Sequence, residues 1–333
     1  MNKDSDTCDE GQTHGHEGFL LIPEEAETMI GANPRNADVI RPYIIGDDFL
    51  SENPPQATRF VIDFAPRDLH EAQAYTEPFR RVQRLVLPKR EENAQKEEER
   101  NREARRDNPR ARVNLHHRNF LKNWWQLSYS RQDLLAKLAA LPRYVCCSRV
   151  TKRPIFVFVS SSINPSDAVS VFTFVDDYSF GILQSGIHWL WFTERCSTLT
   201  ERFRYTSNTV YDSFPWPQSP TLGQARAVAK AAVELRQLRD KLIEEHGYTL
   251  RKLYRTLELP GDNALKKAHE RLDAAVRRAY DMGQKANSLE FLFQLNQTVA
   301  EREASMQQVV GPGLPPCVRS PEEFVSRDCI APV

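Results

Sequence analysis

The sequence has no long apolar run. Its longest apolar clusters, residues 155–159 and 169–175, are far too short to cross a bilayer. Glycine is scarce, 13 in 333 residues, and the one Gly-X-Gly is Gly311-Pro312-Gly313 in a proline-rich stretch. A nucleotide or methyl-donor cradle needs glycines in a turn after a strand, where the backbone must approach the ligand closely. None is visible here. Six cysteines in so long a chain, with no Cys-X-X-Cys spacing, exclude a disulfide framework and point to a reducing, cytoplasmic setting. No lysine has Asp or Glu two positions before it, so the carboxylate-X-lysine pattern of metal-dependent nucleases is absent. Cys8, His14 and His16 are too few, and wrongly spaced, for a structural zinc site. Residues 1–18 are acidic and polar, unlike a secretory signal.

What is present is a globular composition: 27% charged, 40% hydrophobic and 10% aromatic residues, in a length that suggests about two domains. The formal net charge of 0 conceals a gradient. Residues 1–74 carry 5 basic and 15 acidic side chains, residues 75–215 carry 23 and 15, and residues 216–333 carry 17 and 15. A basic middle implies a surface that faces a polyanion, against the plainer reading of an ordinary solvated face.

The expected organisation is α+β: a mixed α/β domain followed by a helical C-terminal region. Residues 1–17 lack apolar period and read as a disordered tail. Residues 18–74 form a connector with a strand at 60–64. Residues 68–108 read as helical, with a mixed charge run from Lys89 to Arg112 that is either a solvated helix or a helix lying along phosphates. Within 75–218, Leu134, Leu135, Leu138 and Leu141 predict a short helix ended by Pro142. Strands follow at 144–147, 155–159 and 169–174, with a turn at 164–167. Residues 180–185 and 187–192 extend this core as a helix. In 219–310, Val228, Ala231, Leu235, Leu238 and Leu242 form a stripe that opens on a Thr221/Gln224 capping box and stops at Gly247. A second stripe runs from Leu265 to Ala279, and a third follows a cap at Asn287. Residues 311–333 are expected to be extended or disordered.

Asn53-Pro54-Pro55-Gln56 is close to the Asn/Asp-Pro-Pro-aromatic turn with which amino-methyltransferases hold a flipped base. The stacking ring is missing and no buried strand precedes it, so a plain proline turn is the better reading. His188, among Ile187, Trp189 and Trp191, reads as packed rather than catalytic. The pairs His116-His117 and Cys146-Cys147, if on strands, would point to opposite faces and make no site. What remains is a set of cations. Arg143, Arg149, Lys152 and Arg153 flank short strands, and Arg195, Arg202 and Arg204 precede Phe214-Pro215-Trp216-Pro217. Arginine can pair bidentately with guanine, and loop-borne cations can grip phosphate.

Several stretches, in order, resemble the C-terminal half of MmeI-like restriction-modification enzymes, which are adenine-specific DNA methyltransferases. They include Ala37-Asp38-Val39-Ile40-Arg41-Pro42-Tyr43, Arg59-Phe60-Val61-Ile62-Asp63-Phe64, Trp124-Trp125 and Leu141-Pro142-Arg143-Tyr144. Phe180-Gly181-Ile182-Leu183, Phe214-Pro215-Trp216-Pro217 and Val309-Val310-Gly311-Pro312-Gly313-Leu314-Pro315-Pro316 continue the series. The resemblance covers about Gly18 to Pro316. It implies a DNA target-recognition domain at 75–218 and a helical C-terminal region. The family's glycine motif and catalytic turn lie upstream of this region, so the chain is expected to lack them, and Asn53 falls in the connector. S-adenosylmethionine then belongs to the complete enzyme, and the expected partners are double-stranded DNA and a separately encoded methyltransferase core. The resemblance points to Thr200 and Arg202 as base contacts, with Arg204 beside them and Arg149 and Lys152 as earlier contacts. Two other readings stay open: an adenine methyltransferase that is residual or partner-dependent, and a helical protein-interaction module that does not bind DNA.

Overall fold

The computed structural model describes residues 6–199 and 202–332. In chain order the strands are β1 (Cys8–Glu10), β2 (Leu20–Leu21), β3 (Ile40–Ile44), β4 (Arg59–Ile62), β5 (Arg143–Ser148), β6 (Val157–Ser160), β7 (Asn164–Pro165), β8 (Val169–Phe172), β9 (Ser197–Leu199) and β10 (Arg202–Arg204). The helices of the first half are α1 (Pro23–Ala32), α2 (Gly46–Leu50), α3 (Leu69–Gln73), α4 (Thr76–Leu85), α5 (Leu87–Asp107), α6 (His116–Lys122) and α7 (Gln132–Ala139). Those of the second half are α8 (Asp177–Gln184), α9 (Gly186–Arg195), α10 (Leu222–His246), α11 (Leu250–Arg255), α12 (Ala264–Ala279) and α13 (Ser288–Ala304). The architecture is α+β with a helical C-terminal region, as the sequence predicts. Among the described residues no helix is long and apolar enough to cross a membrane.

Two four-stranded sheets organise the molecule, with orders β2-β4-β3-β7 and β1-β8-β5-β6. The first has its own core, in which Phe19, Tyr43, Val61 and Phe64 meet Tyr75, Phe79 and Val82 from the helices that follow. Trp124 and Trp125 pack against this core, not against that of 143–218, and Trp125 donates Nε1–H to the Arg67 carbonyl at 3.1 Å. The second sheet is buried on both faces, so adjacent Cys146 and Cys147 are both sealed from solvent. Helices α8, α10 and α12 close over it in one continuous core. Gly181 lets α8 approach α10 closely, since a methyl there would stand 2.7 Å from Val228 Cγ1.

The N-terminal segment departs from expectation. Far from being disordered, residues from Cys8 onward add an antiparallel edge strand to β8, with Cys8 opposite Phe172. Gln12 is fully buried and ties the two sheets together. Its amide donates to Asp63 Oδ2 at 2.7 Å and to the Ser130 carbonyl at 2.8 Å, and its Oε1 accepts from Asn164 Nδ2 at 3.0 Å. Polar residues without apolar period order here because distant polar groups satisfy them. Residues 164–167 likewise hold more than a turn. Asn164–Pro165 is a short parallel edge strand on β3, where proline's missing N–H costs nothing. His116 and His117 lie on a helix rather than a strand. The C-terminal stretch is extended but anchored: Ile330 exchanges main-chain hydrogen bonds with Phe158 and Ser160 at 2.9 Å each.

Asp176 caps α8 by accepting from Ser179 N at 2.7 Å. Burial pushes its carboxyl up to about 6, against the opposing pull of the Ser179 hydrogen bonds. An unfolded Asp titrates near ~3.9. The folded value is the higher, so unfolding releases a proton between the two. The resulting stabilisation is full below pH ~4 and is lost as pH rises through about 6. Asn at this position keeps a cap acceptor but does not titrate. Wild type should therefore lose stability relative to Asp176→Asn from pH 4 to 6 in urea titrations. Parallel pH dependences would contradict this.

Candidate nucleic-acid interface

The strand β5 ends at Ser148, and the chain turns through residues 149–155 before β6. This turn does not stand free. Thr151 N donates to the Phe203 carbonyl at 3.0 Å, and Tyr205 N donates to the Arg149 carbonyl at 2.8 Å. Val150 pairs with Arg204 in an antiparallel bridge. β10 is thus held on one side by β9, in the register Arg204 opposite Ser197, and on the other by the turn. Two cation groups some fifty positions apart in sequence share one edge. Phe203 packs inward, edge-on to Phe192 at 6.0 Å. Strand alternation therefore directs Arg204 to the opposite face.

The candidates differ in what they touch. Arg149 is nearly buried: its guanidinium makes a close ion pair with Glu10 and donates to the Asp167 carbonyl at 3.2 Å. It could reach an external ligand only by leaving Glu10. Lys152 is exposed, and among the described residues neither it nor Arg204 has a side-chain hydrogen bond or ion pair. Thr200 lies outside the described residues. Arg202 is placed by its backbone in β10, opposite Leu199. Arg153 stacks over the Trp189 ring at 4.6 Å, and Trp189 in turn donates Nε1–H to the Lys152 carbonyl at 3.3 Å. Arg195 lies over Trp191 at 5.1 Å. Arg143 belongs to none of this. It is buried beside Asp177, 3.4 Å away, and donates twice to the Val175 carbonyl.

The turn, α9, α11 and α12 border an open groove of about 1230 Å³. To Lys152 and Arg153 it adds Arg251, Arg255 and Lys266, which the sequence reading did not single out. Arg251 and Arg255 stand four residues apart on α11, the spacing of one helical face, and that was the available signal. Asp47, Glu258, Glu270 and Asp273 temper the charge. Two of these have local work. Asp47 pairs with Arg251, and Asp273 Oδ1 accepts from Gly186 N at 2.7 Å at the start of α9. In its lining His269 Nε2 lies 3.0 Å from Tyr254 OH, and burial, with Arg239 and Arg153 nearby, holds His269 down to about 2. His188 is also packed, 3.0 Å from Tyr205 OH, and burial lowers it to about 3.

Two motifs weighed from sequence take plain positions. Asn53-Pro54-Pro55-Gln56 lies in the loop between α2 and β4. Gly311-Pro312-Gly313 follows no strand and opens no helix. The Gly311-Pro312-Gly313 setting differs from a methyl-donor cradle, whose glycines turn between a strand and a helix.

On this edge Lys152 is exposed and Arg204 half-buried, and cations held in this way can grip a polyanion. Comparison finds two family models that match parts of the chain. Residues 138–218 match the family described as MmeI, target recognition domain, and residues 222–302 match MmeI, C-terminal domain. The chain carries an MmeI-like target-recognition domain followed by an MmeI-like C-terminal domain. Among curated proteins, DNA methyltransferase A of Bacillus subtilis (strain 168) is 34% identical over 140 residues, which is 41% of this chain and 15% of that protein. Among solved structures, the type IIL restriction-modification enzyme MmeI in complex with DNA superposes with a TM-score of 0.66 at 22% identity. That superposition covers 89% of this chain and 36% of the MmeI chain, and it shows a shared fold.

Proposed function

We propose that this chain is the sequence-reading part of an MmeI-like restriction-modification enzyme, and that it docks on double-stranded DNA. The supporting observation is the backbone pairing that sets the 149–153 turn against β10. It gathers Lys152, Arg202 and Arg204 on one edge within the residues that match a target-recognition domain. Arg204 and Lys152 contact DNA directly in this reading, with Thr200 and Arg202 as the base-reading pair beside them. Arg149 holds the turn in place through Glu10. The complete enzyme transfers a methyl group from S-adenosylmethionine to adenine N6. The donor is held by a separately encoded methyltransferase core, and the free cysteines fit a cytoplasmic setting.

Selection of randomised duplex DNA at about 0.15 M salt, where non-specific phosphate binding is weakened, tests this. Enrichment of one short motif is expected, with Thr200 and Arg202 substitutions relaxing particular positions in it. A well-folded chain that enriches nothing would reject autonomous reading. Methyl transfer by this chain alone, lost on Asn53→Ala, would support the methyltransferase reading instead. A chain with no duplex affinity even at low salt would be left as a protein-interaction module.

A further inference from the structure

Helix α5 is 21 residues long, or roughly 30 Å, yet it buries only Arg90 and Glu97. It has almost no apolar load and is instead pinned by polar contacts to the segment that returns along it. Arg90 Nη1 donates to the Phe120 and Asn123 carbonyls at 3.0 and 3.1 Å. Glu97 accepts from His117 N and Arg118 N at 2.9 and 3.0 Å. Asn101 and Asn114 exchange a reciprocal pair: Nδ2 to the Asn114 carbonyl at 2.6 Å, and Asn114 N to Oδ1 at 2.9 Å. Beyond that last link the hairpin carries residues 102–113 into solvent, and 102–110 are all exposed.

Charge shifts towards arginine beyond the same link, with Arg102 still paired back to Glu98 at 3.6 Å. Residues 87–101 hold 4 basic and 5 acidic side chains, and residues 102–113 hold 5 arginines and 2 acids. Among the described residues, Arg105, Arg110 and Arg112 have no ion-pair partner, and Arg106 meets only its neighbour Asp107 at 3.7 Å. A solvated helix face would intermix the signs along its length, as the exposed Lys89–Glu92–Lys96 contacts near the base do. The base of the arm also connects to the reading edge. Phe120 packs edge-on to Tyr129, Arg131 lies over the Tyr129 ring, and Glu10 binds both Arg131 and Arg149.

We propose that the 102–113 tip is a phosphate-gripping arm, which contacts the backbone of the duplex away from the bases being read. This rests on the DNA-reading function proposed above and adds a second surface to it. Such contacts carry affinity and orientation without sequence information, which suits a polar-stapled arm with arginines at its end.

The test is titration of a fluorescent duplex with the full chain between 50 and 200 mM NaCl. The variant carries Arg105→Gln, Arg106→Gln, Arg110→Gln and Arg112→Gln. Removing the grip on each phosphate should flatten the slope of log affinity against log salt by about 0.9. For two or more phosphates the slope falls by at least about 1.8, affinity at 0.1 M salt drops by roughly tenfold or more, and the selected motif is unchanged. Lysine at the same four positions should restore the slope, since the grip needs charge rather than shape. An unchanged slope in the glutamine variant, or lysines that fail to restore it, overturns the arm and leaves the reading edge standing. A wild-type chain that does not bind duplex overturns both.

Discussion

Replacing Asp177 by alanine should lower the unfolding free energy by about 3–5 kcal/mol, the cost typical of removing one partner from a buried ion pair. Asp177 is 3% exposed and both its oxygens are engaged. Oδ1 receives the Arg236 guanidinium in a close contact, Arg143 Nη2 at 3.4 Å and Ser326 Oγ at 2.7 Å, and Oδ2 accepts from Ser326 N at 2.9 Å. Without it two buried guanidiniums share one remaining carboxylate, Asp328, which Arg236 Nε reaches at 2.6 Å and Arg143 Nη1 at 3.5 Å. Burial opposes ionisation of Asp328, yet hydrogen bonds from Arg236 and Ser326 and the charge of Arg143 hold it down to about 2. The same change unhooks residues 326–330, so limited proteolysis of the C-terminal stretch should accelerate. Urea denaturation followed by tryptophan fluorescence measures the loss. A change under about 1 kcal/mol would mean that the arginines re-pair elsewhere and that Asp177 does not hold the C-terminal stretch in place.

Charge reversal at the reading edge has the other large effect. Lys152→Glu with Arg204→Glu should reduce duplex affinity by at least tenfold, at about 1–3 kcal/mol for each side chain that no longer reaches the DNA. Both side chains lack internal partners among the described residues, so folding should survive and the far-ultraviolet spectrum should not change. Arg149→Ala makes the useful contrast. It removes the bond to Glu10 and should cost stability more than affinity, because that guanidinium is already occupied. Anisotropy with the selected duplex separates the two. Affinity within twofold of wild type in the double reversal would move the reading surface away from this edge.

Much of the helical architecture could be read from the residues because its signals are local. Thr221 and Gln224 form the capping box that opens α10, and Gly247 ends it with φ +60°. Asn287 caps α13 through Leu289 N and Glu290 N, and Leu265 to Ala279 is one buried stripe. Where expectation and structure part, the deciding contact lies far along the chain. The stretch read as helix over 180–185 and 187–192 is two separate helices, because Ser185 Oγ caps His188 N while Asp273, 87 residues away, accepts from Gly186 N. Residues 8–17 carry no periodic signal, yet β8 and Asp63 order them.

The cations show the same division at the candidate site. Composition alone identifies a basic middle segment and an arginine-rich stretch before Phe214-Pro215-Trp216-Pro217. It cannot say which arginines are available, because an arginine's availability depends on which carboxylate or carbonyl reaches it. Arg143 goes to Asp177 and Arg149 to Glu10, whereas among the described residues exposed Lys152 and half-buried Arg204 have no ion-pair partner. The helices, their caps, the short strands and the sign of the charge follow from the order of residues, since each depends on neighbours within a few positions. Which strands meet, which cations are spent on the fold and which remain for a ligand emerge only on folding, since hydrogen bonds and ion pairs between distant segments have no local signature.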